Sequence, residues 1–314
     1  MVIGVDLCGT ISGNKSLRPE AADSMDTNKR AELAAIIQDD KFCKSLSASL
    51  TASIWESTVP IVAEQDGILR QHGTGTLFRI AHRYFVVTAA HVLKDAHKYD
   101  VPLRILEKEP GTKLMQVVGD FHCFKPNQGN DLYDLAVREL DQPMVDFLKG
   151  YQFVQLLDID TKQTVEDDLY VVCGFPTKLA SEARVGEPGF SLTRFFALTY
   201  PHGGSTDDLP NFDSQCHIVL DARRKFAAEL IGTGPMPDNL EGISGCSIWK
   251  TNLMTVGRDK WTPAHARIIA VQTQVYPKAQ LIRGTMWKVA AKLFHDAFPE
   301  LQPAMALSLP QVRG

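Results

Sequence analysis

Three side chains in this sequence could share one reaction. His91 closes the run Phe85-Val86-Val87-Thr88-Ala89-Ala90-His91, Asp134 opens Asp134-Leu135-Ala136-Val137, and Ser244 sits between glycines in Glu241-Gly242-Ile243-Ser244-Gly245-Cys246. A serine hydroxyl holds its proton too tightly to attack a carbonyl at neutral pH. An imidazole can take that proton as the bond forms and return it to the leaving group. A carboxylate on the other ring nitrogen fixes the tautomer this requires. His91 is thus the candidate general base, Asp134 the orienting acid and Ser244 the nucleophile. The oxygen that becomes negative on the substrate needs two fixed donors. The backbone N–H groups of Gly242 and Ser244 are the candidate oxyanion hole, and losing one such donor costs roughly 100- to 1000-fold in rate. Glycine at 242 suits a tight turn that the substrate must approach closely.

Other segments join these three. Gly73-Thr74-Gly75-Thr76-Leu77-Phe78 precedes Thr88-Ala89-Ala90-His91, and Val172-Cys173-Gly174-Phe175-Pro176 and Ile268-Ile269-Ala270-Val271-Gln272-Thr273 flank the serine segment. Taken together, the chain from about Ser57 to Phe298 resembles the trypsin/chymotrypsin-like serine peptidases. It is closer to their bacterial, high-temperature-requirement-like intracellular relatives than to the digestive enzymes. The resemblance implies an all-β protein, a double six-stranded antiparallel β-barrel with His91 and Asp134 on the first barrel and Ser244 on the second. It implies a serine endopeptidase that forms an acyl-enzyme on Ser244 and acts on a protein or peptide substrate without a cofactor.

The sequence departs from the digestive pattern at Ile243, where those enzymes carry an aspartate that pairs with a newly released amino terminus. An isoleucine cannot make that pair, so activation by N-terminal clipping is not expected. Cys246, a small thiol at a strand start, is read as packing. The resemblance also places a specificity residue six positions before the serine, at Asp238, which would favour Arg or Lys at the cleaved position. Asp238 could equally be a solvated turn residue beside Pro235 and Pro237. Thr273, Gln274 and Val275 resemble the pocket wall. Arg283 either neutralises Asp238 or faces water.

Composition narrows the rest. A formal charge of −4, with no basic stripe and interleaved aromatics, argues against a nucleic-acid binder. No apolar run reaches the roughly 18 residues of a membrane span. The opening Met1-Val2-Ile3-Gly4-Val5-Asp6 lacks a basic leader region. Six cysteines are scattered without a Cys-x-x-Cys pair, so reduced thiols and a cytoplasmic location are expected. Cys216-His217 and His122-Cys123 do not read as a metal site, because strand neighbours point to opposite faces. Asp131 rivals Asp134 as the acid but is read as shaping the turn before it.

Four regions are expected. Residues 1–50 form a partly helical extension, with an amphipathic helix from Thr27 and a candidate docking role for a regulatory protein. Residues 51–150 form the first barrel, residues 151–300 the second with a C-terminal helix over Thr285 to Phe298, and residues 301–314 a loose tail. Short β-rich runs punctuated by Gly, Pro, Asn and Asp support the all-β assignment. A competing function is a catalytically silent or latent scaffold that uses the same barrels to bind a partner and is switched on by it.

Overall fold

The computed structural model describes residues 2–5, 27–108, 113–125, 131–160, 162–187, 189–223, 228–229 and 239–308. Their strands form two sheets, antiparallel apart from one parallel pair. In chain order the first sheet holds β1 (Val2–Val5), β2 (Thr58–Gln65), β3 (Ile68–Ile80), β4 (Arg83–Ala89), β5 (Leu103–Leu106), β6 (Leu114–Gln116), β7 (Phe121–Phe124) and β8 (Leu135–Glu139). The second draws on β9 (Tyr170–Gly174), then, after β10 (Ala183–Arg184), on β11 (Phe195–Thr199), β12 (His217–Asp221), β13 (Ala228–Glu229), β14 (Ser247–Lys250), β15 (Arg267–Tyr276) and β16 (Leu281–Met286). Spatial order is β1-β7-β8-β4-β3-β2-β5-β6 in one sheet, with β10 paired to β3, and β12-β16-β15-β14-β9-β11-β13 in the other. Beside five short 3-10 helices, the described residues form seven α-helices: α1 (Thr27–Gln38), α2 (Asp40–Ile54), α3 (Ala90–Lys98), α4 (Gln142–Phe147), α5 (Leu253–Val256), α6 (Trp287–Ala297) and α7 (Gln302–Ser308).

The core divides with the sheets. Val59, Ile61, Leu77, Val86 and Ala136 are buried together within the first, and Val172, Ile218, Ile248, Ile269 and Ile282 within the second. A third cluster lies between them, built from alternate faces of the same strands: Phe78 and Phe85 from one sheet, Val171 and Trp249 from the other. Strands with apolar residues on both faces are what such a two-core arrangement requires. α6 enters this central layer. Trp287 stacks on Phe78 with ring centroids 4.5 Å apart, and Phe294 meets Phe85 edge-on at 5.1 Å. Its expected apolar face, Trp287, Val289, Ala290, Leu293 and Phe294, is buried throughout.

The N-terminal helices also belong to that layer. Leu33, Ile36, Leu46, Leu50 and Ile54 are buried in the central cluster, so these helices pack on the body of the protein. Arg30 reinforces the contact, 3.7 Å from Asp221 and lying over the Tyr200 ring. α2 runs on to Ile54, so the boundary expected at residue 50 falls inside a helix. Two further expectations change in detail. The strand expected over Leu114 to Phe121 is two strands, because Gly119 turns the chain between them at φ +98°. Of the tail expected to be loose over residues 301–314, Gln302–Ser308 forms α7, with Leu301 and Met305 buried, and residues 309–314 lie outside the described residues. No described helix is long and apolar enough to cross a membrane.

Candidate active site

His91 is the second residue of α3, so its backbone N–H belongs to the first turn, where no carbonyl of the helix can reach it. Asp134 supplies the missing acceptors. Its Oδ1 accepts from His91 N–H at 2.9 Å, and its backbone oxygen accepts from Ala90 N–H at 2.9 Å. Its other carboxylate oxygen, Oδ2, accepts from the imidazole at Nδ1, 2.7 Å away. One residue therefore caps the helix and orients the ring, and a carboxylate is favoured there by the helix dipole. With Nδ1 donating to Asp134, the lone pair of the ring is left on Nε2, the form a general base needs.

Asp134 sits in the left-handed region, at φ +46°. A non-glycine residue needs support there. Asp131 provides it by accepting the Asp134 N–H on Oδ1 at 2.9 Å, and Lys94, one turn after His91 on α3, holds Asp131 in an ion pair. The rival acid of the sequence is thus the support of the orienting acid. Burial of His91 opposes its protonation, but the hydrogen bond and charge of Asp134 outweigh that, with smaller help from Asp95 and Asp131. The ring pKa consequently lies above the ordinary 6.5.

Ser244 lies on a double turn. Ile243 N–H donates to Leu240 O and Cys246 N–H to Ile243 O, with Gly242 at φ +94° and Gly245 at φ +97° on either side. The N–H groups of Gly242 and Ser244 donate to no described residue, so both stay available to an oxyanion. Ile243 is fully buried against Gly174, and Cys246 is a buried, unpaired thiol whose burial holds it well above the usual thiol pKa. Apolar burial anchors the turn where an ion pair anchors it in the digestive enzymes.

The alternation of β3 explains the Gly-Thr-Gly-Thr run. Side chains along a strand point to opposite faces. On one face a Cβ at Gly73 would come within 2.6 Å of Val92 on α3, and one at Gly75 within 2.6 Å of Val86. Glycine at both positions lets the histidine helix and β4 pack close. On the other face the threonines reach the second sheet. Thr74 Oγ1 donates to Gly242 O at 2.8 Å and accepts from Phe175 N–H at 3.1 Å, while Thr74 N–H donates to Ser244 O at 2.8 Å. Thr88 Oγ1 donates to Thr74 O at 2.7 Å, and Thr76 Oγ1 accepts from Ser247 N–H at 3.1 Å. Thr74, Thr76 and Thr88 fix the Ser244 turn on the strands beside the histidine. Sequence alone gave them no role, since the groups they hold are far away along the chain.

Gly245 is the tightest point of this junction. A Cβ there would fall 2.0 Å from both Thr74 O and Thr88 Oγ1. Gly245→Ala is expected to lower the free energy of unfolding by about 3 kcal/mol or more, from backbone strain and overpacking together. Chemical denaturation of the purified variant checks this, and an unchanged midpoint would contradict the packing described.

A cleft of about 770 Å³ gathers His91, Asp134 and Ser244 with Gln274, Val275 and Arg283. The wall residues expected from sequence, Thr273, Gln274 and Val275, border it; Thr273 is almost fully buried, its hydroxyl 3.1 Å from that of Thr285. Asp238 lies outside the described residues. His217 is held neutral: Nδ1 accepts from Asp213 N–H at 2.9 Å, leaving Nε2 to donate to Leu132 O at 2.9 Å. Burial, with the nearby Arg283 charge, pushes its pKa down to about 4. Among the described residues no three His, Cys, Asp or Glu side chains come together as metal ligands, and the described cysteines are unpaired.

No protein-family model matches the sequence, and no curated protein matches it at a significant level. Structural neighbours include trypsin-like serine proteases of the HtrA and Glu-endopeptidase types. An HtrA-type protease, AlgW, solved with a tripeptide, is 12% identical with a TM-score of 0.43 over 78% of this chain and 61% of that one. A serine endoprotease from Yersinia pestis is 13% identical, TM-score 0.45, over 80% and 67%. A Glu endopeptidase is 14% identical, TM-score 0.43, over 78% and 91%. The chain therefore spans less than two thirds of the AlgW structure.

Proposed function

We propose that the protein is a serine endopeptidase whose two sheets act as paired barrels and whose acyl-enzyme forms on Ser244. The observation that carries this is the His91–Asp134 pair, whose carboxylate favours the tautomer a base needs, bordering the same cleft as a serine turn with two N–H groups that donate to no described residue. Ser244 attacks the carbonyl, His91 Nε2 takes its proton and passes it to the leaving amine, and the Gly242 and Ser244 amides hold the oxyanion. Water then attacks the ester by the same route in reverse. An extended peptide is the natural substrate, since exposed strand edges bind strands through backbone hydrogen bonds.

Finer points belong to the same proposal. Preference for Arg or Lys would rest on Asp238 by residue count alone. The scattered cysteines, unpaired among the described residues, favour the cytoplasm, and α1 and α2 offer a regulatory protein a surface joined to the second sheet through Arg30. The test is a mass-spectrometric cleavage profile of a diverse peptide library by the wild type and by Ser244→Ala. Cuts made only by the wild type are expected. Equal cleavage by both would end the peptidase proposal, and silence from both would favour the latent scaffold.

The acid limb gives a second check. Protonated His91 cannot accept the serine proton, so activity rises with pH as the ring loses its charge. Because Asp134 raises the ring pKa, the limb in kcat/KM is expected above 6.5. A limb well below that value would contradict the His91–Asp134 pairing.

A further inference from the structure

Among the described residues one cation of the cleft has no ion pair once His91 is paired with Asp134 and Lys94 with Asp131. Arg283, on β16, is 1% exposed yet borders the cleft that holds Ser244. Its Nε donates to Thr273 Oγ1 at 3.3 Å and its Nη1 to the backbone oxygen of Asn211. Both partners are neutral, as is the Tyr276 phenol, which also hydrogen-bonds it. Among the described residues no carboxylate forms an ion pair with it. The carboxylates that act on it from further off, Asp134 and Asp131, are already engaged by His91 and Lys94. Burial pulls its pKa below the usual arginine value, the mark of a charge taken out of water without full compensation.

A buried cation lacking a counter-charge is costly to keep. Guanidinium is also the side chain best shaped to take a carboxylate through parallel N–H bonds, and its hydrogen bonds to Thr273 and Asn211 fix its plane in advance. The wall beside it, Asn211, Gln274, Val275 and Pro277, carries no charge that would compete. We propose that Arg283 is a carboxylate-recognising subsite, so that the peptide segments bound in this cleft carry an Asp or Glu side chain at one fixed position near the cleaved bond. The position is fixed because other lining residues, Asp95 and Glu241, are acidic and would repel a carboxylate elsewhere. This inference rests on the peptidase proposal for its chemistry and opposes the Arg or Lys preference that Asp238 would give.

The experiment uses decapeptides on one scaffold, with Glu, Gln or Arg placed at each position in turn. Cleavage by the wild type, Ser244→Ala and Arg283→Gln is followed by mass spectrometry. Glu is expected to exceed Gln by about tenfold or more at one position, the size of a charge-assisted hydrogen bond. Arg283→Gln should erase that difference, bringing the ratio of Glu-peptide to Gln-peptide cleavage to about one. Ser244-dependent cleavage with no acidic preference, with preference for Arg, or with an acidic preference that survives Arg283→Gln overturns the subsite and leaves the peptidase standing. If no peptide is cut in a Ser244-dependent way, the peptidase proposal fails. The subsite is then decided by retention on immobilised Ser244→Ala protein: selective retention of Glu peptides supports it, and equal retention of Glu and Gln peptides overturns it. Should Arg283→Gln not fold, Arg283→Lys keeps the charge without the fork, and the Glu-against-Gln comparison on the wild type needs no variant.

Discussion

Ser244→Ala is expected to lower turnover by about 10⁶-fold and to leave the fold untouched. The two halves of that expectation have separate causes. The Ser244 hydroxyl makes no hydrogen bond to a described residue, so its removal strands no buried partner. The turn is held through its backbone, by Thr74 N–H on Ser244 O, by Thr74 Oγ1 on Gly242 O and by buried Ile243, none of which alanine disturbs. Stability should therefore stay within about 0.5 kcal/mol of the wild type. Catalysis loses its covalent route altogether. What survives is the stabilisation by the Gly242 and Ser244 amides, worth about 10³- to 10⁴-fold over water. Adding His91→Ala to Ser244→Ala should then cost almost nothing further, because a base without a nucleophile has no task. Single-turnover cleavage paired with thermal unfolding measures both halves. A loss below about tenfold would show that Ser244 is not the nucleophile.

Asp134→Asn is the second large effect, about 10⁴-fold in kcat. Asparagine keeps one acceptor oxygen, so it can still cap α3 through the His91 N–H. It also presents an NH₂ donor. Set opposite Nδ1, that donor selects the tautomer with its proton on Nε2, and the ring can no longer accept from Ser244. The pH profile separates this from simple damage. Removing the carboxylate takes away the hydrogen bond and the charge that hold the His91 pKa up, so the residual activity should show its acid limb at lower pH than the wild type. Asp134→Ala differs again, losing the cap as well, at about 1 kcal/mol of stability. A residual activity whose limb does not move would assign orientation of His91 to another group.

What the sequence discloses and what it withholds follow the range of the forces involved. His91, Asp134 and Ser244 could be singled out in the sequence because their chemistry allows few residue types, and the structure brings all three to one cleft; Gly242 could be singled out because a turn at φ +94° allows fewer still. Most strands were legible from local apolar runs. Asp131 was seen as a turn residue but not as the support for a strained Asp134, a role that needs Lys94 from another element. The threonines of β3 gave no local signal for the same reason: Thr74 grips Gly242 from 168 residues away. The parallel pairing of β1 with β7 was also invisible, since nothing in four residues names their partner. Burial of α1 and α2 was half-legible. The amphipathic spacing announced a helix with something to cover, and the surface it covers is assembled from both sheets.

The apolar anchor at Ile243 has a consequence on the alkaline side. A serine turn tied to an α-amino group is only as durable as the charge on that amine, which fades as pH climbs through about 8. Isoleucine carries no proton to lose. Its grip comes from exclusion of water, which neither hydroxide nor added salt dissolves. The turn that positions Ser244 should accordingly keep its shape in mildly alkaline, concentrated salt solutions, and it needs no freshly cut chain end to acquire that shape.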